Sequence, residues 1–150
     1  MQNKNRGAAM VEFAIVVPFF FMLICCIIYG AMVMHDINSL NEIVRNTARY
    51  GAVIESGVDL SEKQKAMQDF VTNKAKDSLF LYEVKYSTQI NVDAEPEITV
   101  GSGSDATKER AVKVTVSAEM KDGLPTFLFL DYFPKELKTI SSSITMRRED

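Results

Sequence analysis

Hydrophobic residues are concentrated in one uninterrupted block near the N-terminus of the chain. Phe13–Met34 contains 22 consecutive residues without Asp, Glu, Lys or Arg. A helix of this length extends roughly 33 Å at about 1.5 Å per residue, enough to cross a hydrocarbon layer of about 30 Å. The pattern predicts one transmembrane helix over residues 8–35. A cleaved secretory signal peptide fits less well, because its apolar region is only about 7–15 residues long and ends in small residues.

Helical periodicity continues beyond this apolar block. Apolar or small residues recur there at three- and four-residue spacing, which predicts one buried stripe. The stripe comprises Ile37, Leu40, Val44, Ala48 and Gly51, with Asp36, Glu42, Arg45 and Arg49 expected largely off it. One continuous helix from about Ala8 to Val53 is therefore expected. Its second half is predicted to pack against a globular domain.

A second amphipathic helix is predicted after Gly57. Asp59 or Ser61 can cap its first turn, with Glu62 or Gln64 three residues later completing a capping box. Its apolar stripe consists of Met67, Phe70, Val71, Ala75 and Leu79. The lysines at positions 63, 65, 74 and 76 are interpreted as a solvated face.

In the rest of the chain, hydrophobic and polar residues alternate with a period of two, which predicts β-strands. The candidate strands are Val84–Val92, Glu97–Val100, Val112–Lys121 and Thr139–Arg148, with Gly101–Asp105 as a flexible turn. In the last strand, Ile140, Ser142, Ile144 and Met146 share one face. The predicted fold class is α+β: a long transmembrane helix continuing into a small domain, residues 36–150, with a second helix and an antiparallel sheet of about four strands.

One apolar segment fits neither periodicity. Residues 124–133 carry Phe127, Phe129 and Phe133 between two prolines, with a single charged side chain. Two interpretations stay open. The segment packs against a neighbouring element, or it forms an exposed patch that contacts partner subunits or the membrane, because contiguous apolar surface usually marks an interaction site.

The distribution of charge predicts an orientation for the membrane helix. Lys4 and Arg6 precede the apolar block, and residues 36–150 contain 15 basic and 19 acidic side chains. Basic residues flanking a span favour the cytoplasmic side, which predicts a cytoplasmic N-terminus and an exported C-terminal domain. The downstream lysines alternate with carboxylates, so no basic patch for nucleic acid is expected.

The side chains that carry enzyme chemistry are scarce. The chain has one histidine, His35, and two cysteines, Cys25 and Cys26, both inside the apolar block. Phosphate-binding, nucleophile-elbow and zinc-protease motifs are not found, and the acidic residues near position 95 lack the glycine and closing glutamate of an EF-hand loop. The sequence predicts no enzyme, no cofactor and no metal site.

Glu12 is the unusual residue at the start of the apolar helix. An acid in the first turn of a helix is favoured by the helix dipole. An ionised carboxylate in hydrocarbon is costly, however, and usually has a partner there. Both interpretations are compatible with the residues alone.

Two stretches of the chain resemble a known family. Arg6–Ala14 (RGAAMVEFA), followed by the apolar block with Pro18, and Arg45–Ala52 (RNTARYGA) resemble the N-terminal region of TadE-like minor pilins, or pseudopilins, of the tight-adherence (Tad/Flp) type IV pilus system. Ile140–Arg147 is similar to the small-residue strand with which many such proteins end. Phe13 stands where the major Flp pilins typically have Tyr, and the chain is longer than those pilins. Both departures favour a minor component.

The resemblance implies a type III signal peptide. Residues 1–7 would be a leader that a prepilin peptidase cuts between Gly7 and Ala8, with Lys4 and Arg6 holding it at the cytoplasmic face. Glycine would allow an extended backbone to enter the protease cleft. Glu12 and Phe13 would contact other subunits during assembly, and Glu12 would neutralise the new Ala8 amine of a neighbour.

The resemblance also implies a function, a location and partners. The chain would be an inner-membrane minor pilin that initiates, caps or supports pilus formation and adherence, whether within the fibre or at its base. Its partners would be the peptidase, other pilin subunits, the assembly platform and membrane lipid. The alternatives are an unprocessed single-pass anchor carrying an extracellular binding module, and a pseudopilin of a secretion system.

Overall fold

A computed structural model describes residues 3–53, 59–85, 90–93, 97–100, 107–121 and 138–147. In these ranges the chain forms two helices, α1 (Asn3–Val53) and α2 (Leu60–Ser78), and five strands. The strands are β1 (Tyr82–Glu83), β2 (Ile90–Asp93), β3 (Glu97–Val100), β4 (Thr107–Met120) and β5 (Thr139–Arg147). The chain divides into two compact units, Met1–Met34 and His35–Asp150.

The first helix confirms the prediction of a long apolar N-terminal helix. It ends at Val53 as expected, continues through Pro18, and begins at Asn3 rather than near Ala8. Among the described residues, α1 contains the one stretch that is long and apolar enough to cross a membrane. The assignment of residues 8–35 as the membrane segment remains a prediction.

The second half of α1 buries the predicted stripe. Leu40, Val44, Ala48 and Gly51 are buried and Ile37 is half-buried, while Glu42, Arg45 and Arg49 are exposed. Thr47 is also buried, and its hydroxyl donates to the carbonyl oxygen of Ile43 at 2.8 Å. The expectation for Asp36 was wrong, since its side chain is fully buried. Asp36 lies four residues before Leu40, a spacing that places both on the same helix face.

The second helix begins at Leu60 with Asp59 as its N-cap residue. The predicted capping box does not form, because the Asp59 carboxylate makes no bond to the first-turn N–H groups. It accepts instead the hydroxyl of Ser61 at 2.6 Å. The carbonyl oxygen of Asp59 accepts the N–H of Lys63 and so starts the helical hydrogen bonding.

The apolar face of α2 packs as predicted, with one addition. Met67, Val71, Ala75 and Leu79 are buried, and the half-buried Phe70 ring stacks on Tyr50 of α1 with centroids 5.4 Å apart. Lysines 65, 74 and 76 are exposed as expected. Lys63 was wrongly placed on the solvated face, because it is buried. It precedes Met67 by one helical turn, so the stripe begins earlier than its apolar members indicate.

The sheet is built around β4, and all its pairings are antiparallel. β5 pairs along β4 from Ala111 to Glu119. Val114 and Val116 of β4 pair with β5 and also with β2, so β2 and β5 lie on opposite edges of β4. β1 and β3 pair with the two ends of β4. The α+β prediction is confirmed.

The strand boundaries differ from the alternating pattern at two places. β2 begins at Ile90, inside the strand predicted over Val84–Val92, and Val84 and Lys85 lie outside the strands. Residues 86–89 lie outside the described residues. A short strand at Tyr82–Glu83 precedes β2. β4 begins at Thr107, earlier than predicted, whereas β3 matches its prediction and β5 follows its prediction from Thr139 to Arg147. The predicted turn Gly101–Asp105 lies outside the described residues.

The core of the second unit forms where both helices meet β4. Alternate β4 residues Val112, Val114, Val116 and Ala118 are buried, together with Ala111. β5 alternates exposed and half-buried residues, with Ile140, Ser142, Ile144 and Met146 half-buried. A Cβ atom at Gly51 would collide with Met67 Cε and would lie 2.7 Å from Met67 Sδ and 3.1 Å from Val112 Cγ1. Gly51 therefore allows α1 to approach α2 and β4 closely.

Candidate functional site

The N-terminal unit presents an almost continuous apolar surface. Its large hydrophobic side chains are mostly exposed, reaching 77% for Met10 and 71% for Phe13. They include Met10, Val11, Ile15, Val16, Phe19, Phe20, Phe21, Leu23, Ile27 and Ile28. Each such side chain gains roughly 1.5–3 kcal/mol when it is removed from water. This surface therefore requires lipid or protein around it.

Glu12 is exposed next to Phe13 on this apolar surface. No hydrogen bond or ion pair joins its carboxylate to another of the residues that the structure describes. The Glu12 carboxylate is thus accessible to a cation from outside the unit. A charge pair formed there would be strengthened by the low dielectric constant of its surroundings.

The predicted processing site lies within α1. Gly7 is exposed and helical, and no atom lies within 4 Å of the position that a Cβ would take. The extended backbone expected at Gly7 concerns the chain bound in the protease cleft, and it stays a prediction. Lys4, Arg6 and Ala8 belong to the same helix by their backbone, and their side chains are not described. The roles of these residues remain predictions.

The predicted interaction patch of Phe127, Phe129 and Phe133 lies outside the described residues. Its two interpretations, burial in the domain and contact with partners, both stay predictions.

A buried carboxylate in the second unit organises the start of the sheet, although its charge predicts an exposed position. The Asp36 carboxylate accepts three backbone N–H groups from the chain that follows α2. Its Oδ1 accepts from Phe80 at 3.0 Å, and its Oδ2 accepts from Leu81 at 2.7 Å and from Tyr82 at 3.1 Å. A buried carboxylate is tolerated when hydrogen bonds satisfy it in this way.

Lys121 holds the same segment from its carbonyl side. Its Nζ donates to the carbonyl oxygens of Leu79 at 2.9 Å and Phe80 at 3.0 Å. Its backbone N–H donates to the carbonyl oxygen of Leu81 at 2.9 Å. We call Leu79–Tyr82 the clamped segment, because Asp36 binds its donors while Lys121 binds its acceptors. The hydrogen bonds of Asp36 and Lys121 to this segment join α1, the end of α2 and the end of β4.

The sequence contained a signal for this role of Asp36. Asp36 stands at the helical spacing of the buried stripe, four residues before Leu40 and seven before Ile43. A carboxylate at such a position must find donors elsewhere in the fold, because a buried charge without hydrogen bonds is strongly disfavoured. Charge alone had assigned it to the exposed face.

We searched the described residues for metal-binding groups and for ligand-sized cavities. Among them, no group of three or more His, Cys, Asp or Glu side chains is arranged to hold a metal ion. A depression of about 190 Å³ beside Tyr82 and Lys121 is smaller than the roughly 300 Å³ at which ligand pockets usually begin.

Residues 7–49 match the model of a family described as TadE-like protein. The matched range contains Gly7, Glu12 and Phe13, the apolar block and Asp36, and the resemblance predicted from the sequence is confirmed over it. No curated protein and no solved structure matches the chain.

Proposed function

We propose, from the match of residues 7–49 to the TadE-like family, that this chain is a minor pilin of the Tad pilus system that assembles through its N-terminal helix. Such a subunit would initiate or support pilus formation, and through it adherence. Its contribution would be structural rather than enzymatic.

The exposed apolar surface of the N-terminal half of α1 carries this proposal. A helix with large hydrophobic side chains on all its faces is stable in a bilayer or within a bundle of similar helices. Assembly would transfer this surface from lipid to neighbouring subunits. The buried second half of α1 anchors the rest of the domain to the same helix through Leu40, Val44 and Asp36.

Glu12 supplies the polar part of the proposed contact. Cleavage after Gly7 would create an ammonium group on Ala8, four residues before Glu12. The Glu12 carboxylate would pair with the Ala8 amine of a neighbouring subunit, since a charge pair in low dielectric offsets part of the desolvation of both groups. A subunit lacking either charge would bring an unpaired ion into the assembly, which disfavours growth.

Processing at Gly7 is compatible with the helix that contains it. Proteases generally bind extended backbone, so α1 would have to unwind around Gly7 and Ala8. Glycine in a helix interior is about 0.5–1 kcal/mol less favourable than alanine, which facilitates local opening there. Lys4 and Arg6 would hold the leader in the cytoplasm during the reaction.

The proposed location is the bacterial inner membrane, with the N-terminus in the cytoplasm and the domain from Asp36 onwards outside. The proposed partners are a prepilin peptidase, other pilin subunits, the assembly platform and membrane lipid. An uncleaved anchor carrying an extracellular binding module is the competing function. It shares the helix and the sheet but requires no cut after Gly7.

The N-terminus of the protein in its native cell distinguishes these two functions. We expect mass spectrometry of membrane and fibre fractions to find a chain that begins at Ala8. We expect Gly7→Val to retain the leader, because a β-branched side chain at the cut obstructs the cleft, whereas Gly30→Val is still processed. Recovery of wild-type chains that all begin at Met1 would support the uncleaved anchor.

A further inference from the structure

Phe80 is an exposed aromatic residue in a segment that is otherwise buried. Its side chain is 57% exposed, while its neighbours Leu79, Leu81 and Tyr82 are buried. The backbone around it is held on both sides, because Asp36 accepts the Phe80 N–H and Lys121 Nζ donates to the Phe80 carbonyl oxygen. The fold therefore presents this ring to its surroundings in a fixed place.

The Phe80 ring lies beside His35. The two ring centroids are 5.0 Å apart, with planes tilted by 52°. The His35 side chain is itself 52% exposed. Together the two rings form a small surface that is apolar at Phe80 and polar at His35. Phe80 belongs to the clamped segment, and His35 directly precedes Asp36.

The position of His35 in the chain sets the depth of this pair in a membrane. His35 directly follows Met34, the last residue of the uncharged apolar block. The headgroup layer on each side of a bilayer is about 5–7.5 Å thick, given about 30 Å of hydrocarbon within a total of 40–45 Å. A ring 5.0 Å from His35 lies within the reach of that layer when the block fills the hydrocarbon.

We propose that Phe80 and His35 form a membrane-interface contact, in which the Phe80 ring inserts at the boundary between headgroups and acyl chains of the outer leaflet. This inference rests on the proposed membrane placement of residues 13–34. The lipid is favoured as occupant because chain continuity puts the pair at the end of the span. Amphipathic rings are favoured at this depth. The cationic head of Lys121 lies nearby, because it donates to the carbonyl oxygen of Phe80.

Such a contact would hold the domain against the membrane before assembly. The Phe80 ring would leave the lipid when the subunit is extracted into a fibre. The Phe80 ring, which contacts lipid before assembly, would then contact water or another subunit. The inference thus adds a lipid contact to a domain whose proposed role otherwise concerns protein partners.

Tryptophan fluorescence can measure the depth of this ring directly, because the chain contains no tryptophan. Three single variants of the full chain, Phe80→Trp, Tyr50→Trp and Phe20→Trp, would be reconstituted into phosphatidylcholine and phosphatidylglycerol vesicles. Tyr50 is the matched control, since it is also an exposed ring (44%) stacked on another aromatic side chain, but lies further along α1. Thermal unfolding of each variant would confirm that the fold is retained.

We expect lipids brominated near the headgroup end of the acyl chains to quench the Phe80→Trp indole several-fold more than the Tyr50→Trp indole. Lipids brominated deep in the chains should quench Phe20→Trp. If Phe20→Trp is quenched while Phe80→Trp and Tyr50→Trp respond equally, the helix spans and the interface contact is overturned. If Phe20→Trp is not quenched, the membrane placement fails and the contact fails with it. If Phe80→Trp is unquenched in vesicles and shifts its emission to the blue only in fibres, the ring contacts a subunit instead of lipid.

Discussion

The Oδ2 atom of Asp36 lies 2.7 Å from the backbone nitrogen of Leu81, which joins the long helix to the segment that leads into the sheet. The two residues are far apart in sequence, so this bond closes a long loop that contains all of α2. The carboxylate also binds the neighbouring Phe80 and Tyr82 amides. A single side chain of α1 thereby fixes the position of the chain that enters the first strand, β1.

Removal of the Asp36 carboxylate should destabilise the fold strongly. Asp36→Ala leaves three N–H groups without their acceptor, and an unsatisfied buried donor costs about 1–3 kcal/mol. We expect a loss of about 3 kcal/mol or more, measured by denaturant unfolding of the full chain in detergent. Asn38→Ala, an exposed change in the same helix, should have little effect. An Asp36→Ala chain as stable as Asn38→Ala would show that the clamp contributes nothing.

Lys121 should stabilise the same segment from its other side. Lys121→Met removes a charged donor from two carbonyl oxygens but keeps the backbone bond to Leu81. Hydrogen bonds to charged groups contribute about 1.5–3 kcal/mol, so a loss of about 1–2 kcal/mol is expected after partial exposure to water. Hydrogen exchange of the Phe80 and Leu81 amides should become faster. The exposed Lys113→Met is the control, and equal exchange in both variants would contradict the role of Lys121.

Gly51 should resist replacement even by alanine. A methyl group there meets Met67 and Val112, and overpacking a core costs about 1–3 kcal/mol. Gly30→Ala is the control, because nothing lies within 4 Å of its Cβ position, so helix propensity predicts no loss. Adding Met67→Ala to Gly51→Ala should recover part of the stability, which a double-mutant cycle would detect as coupling. Additive effects would contradict the close approach.

The helices were largely predictable from the sequence because their burial follows a simple period. The end of α1 at Val53 and the buried positions Leu40, Met67 and Val71 follow from spacing. Asp36 and Lys63 were misplaced because residue type was given more weight than the same spacing. The helical spacing of a residue shows on which face of the helix it lies. Only the tertiary fold shows which hydrogen-bond donors can reach a carboxylate on that face.

The sheet was predictable in its faces but not in its pairing. Alternation correctly identified the buried residues of β4, such as Val114 and Val116. It could not show which residues of β1 and β2 pair with β4. Glu83 pairs with Glu119 and Ile90 with Val116, so an advance of seven residues along the chain corresponds to only three along β4. The alternation of hydrophobic and polar residues does not reveal such a difference in length between paired stretches of chain.

The Phe13 ring offers a test of the apolar surface separate from charge. Phe13→Ala removes a large exposed hydrophobic side chain next to Glu12, so it should weaken contacts between subunits without affecting the unfolding of the second unit. We expect less self-association of the full chain by crosslinking in membranes, with unchanged thermal unfolding. Val53→Ala, which also removes exposed apolar surface but lies at the far end of α1, is the control. Equal crosslinking of Phe13→Ala and wild type would exclude Phe13 from the contact.

The proposed assembly contact of Glu12 is tested most directly by its charge. Glu12→Gln keeps the size of the side chain and removes its negative charge, and Glu42→Gln makes the same change at an exposed position in the second half of α1. The measurement is the fraction of each chain, processed to begin at Ala8, that is recovered with sheared pili or with the isolated assembly complex. The proposal predicts that Glu12→Gln is processed and stays in the membrane but is depleted from the assembly, while Glu42→Gln is recovered like wild type. Normal recovery of Glu12→Gln would contradict it.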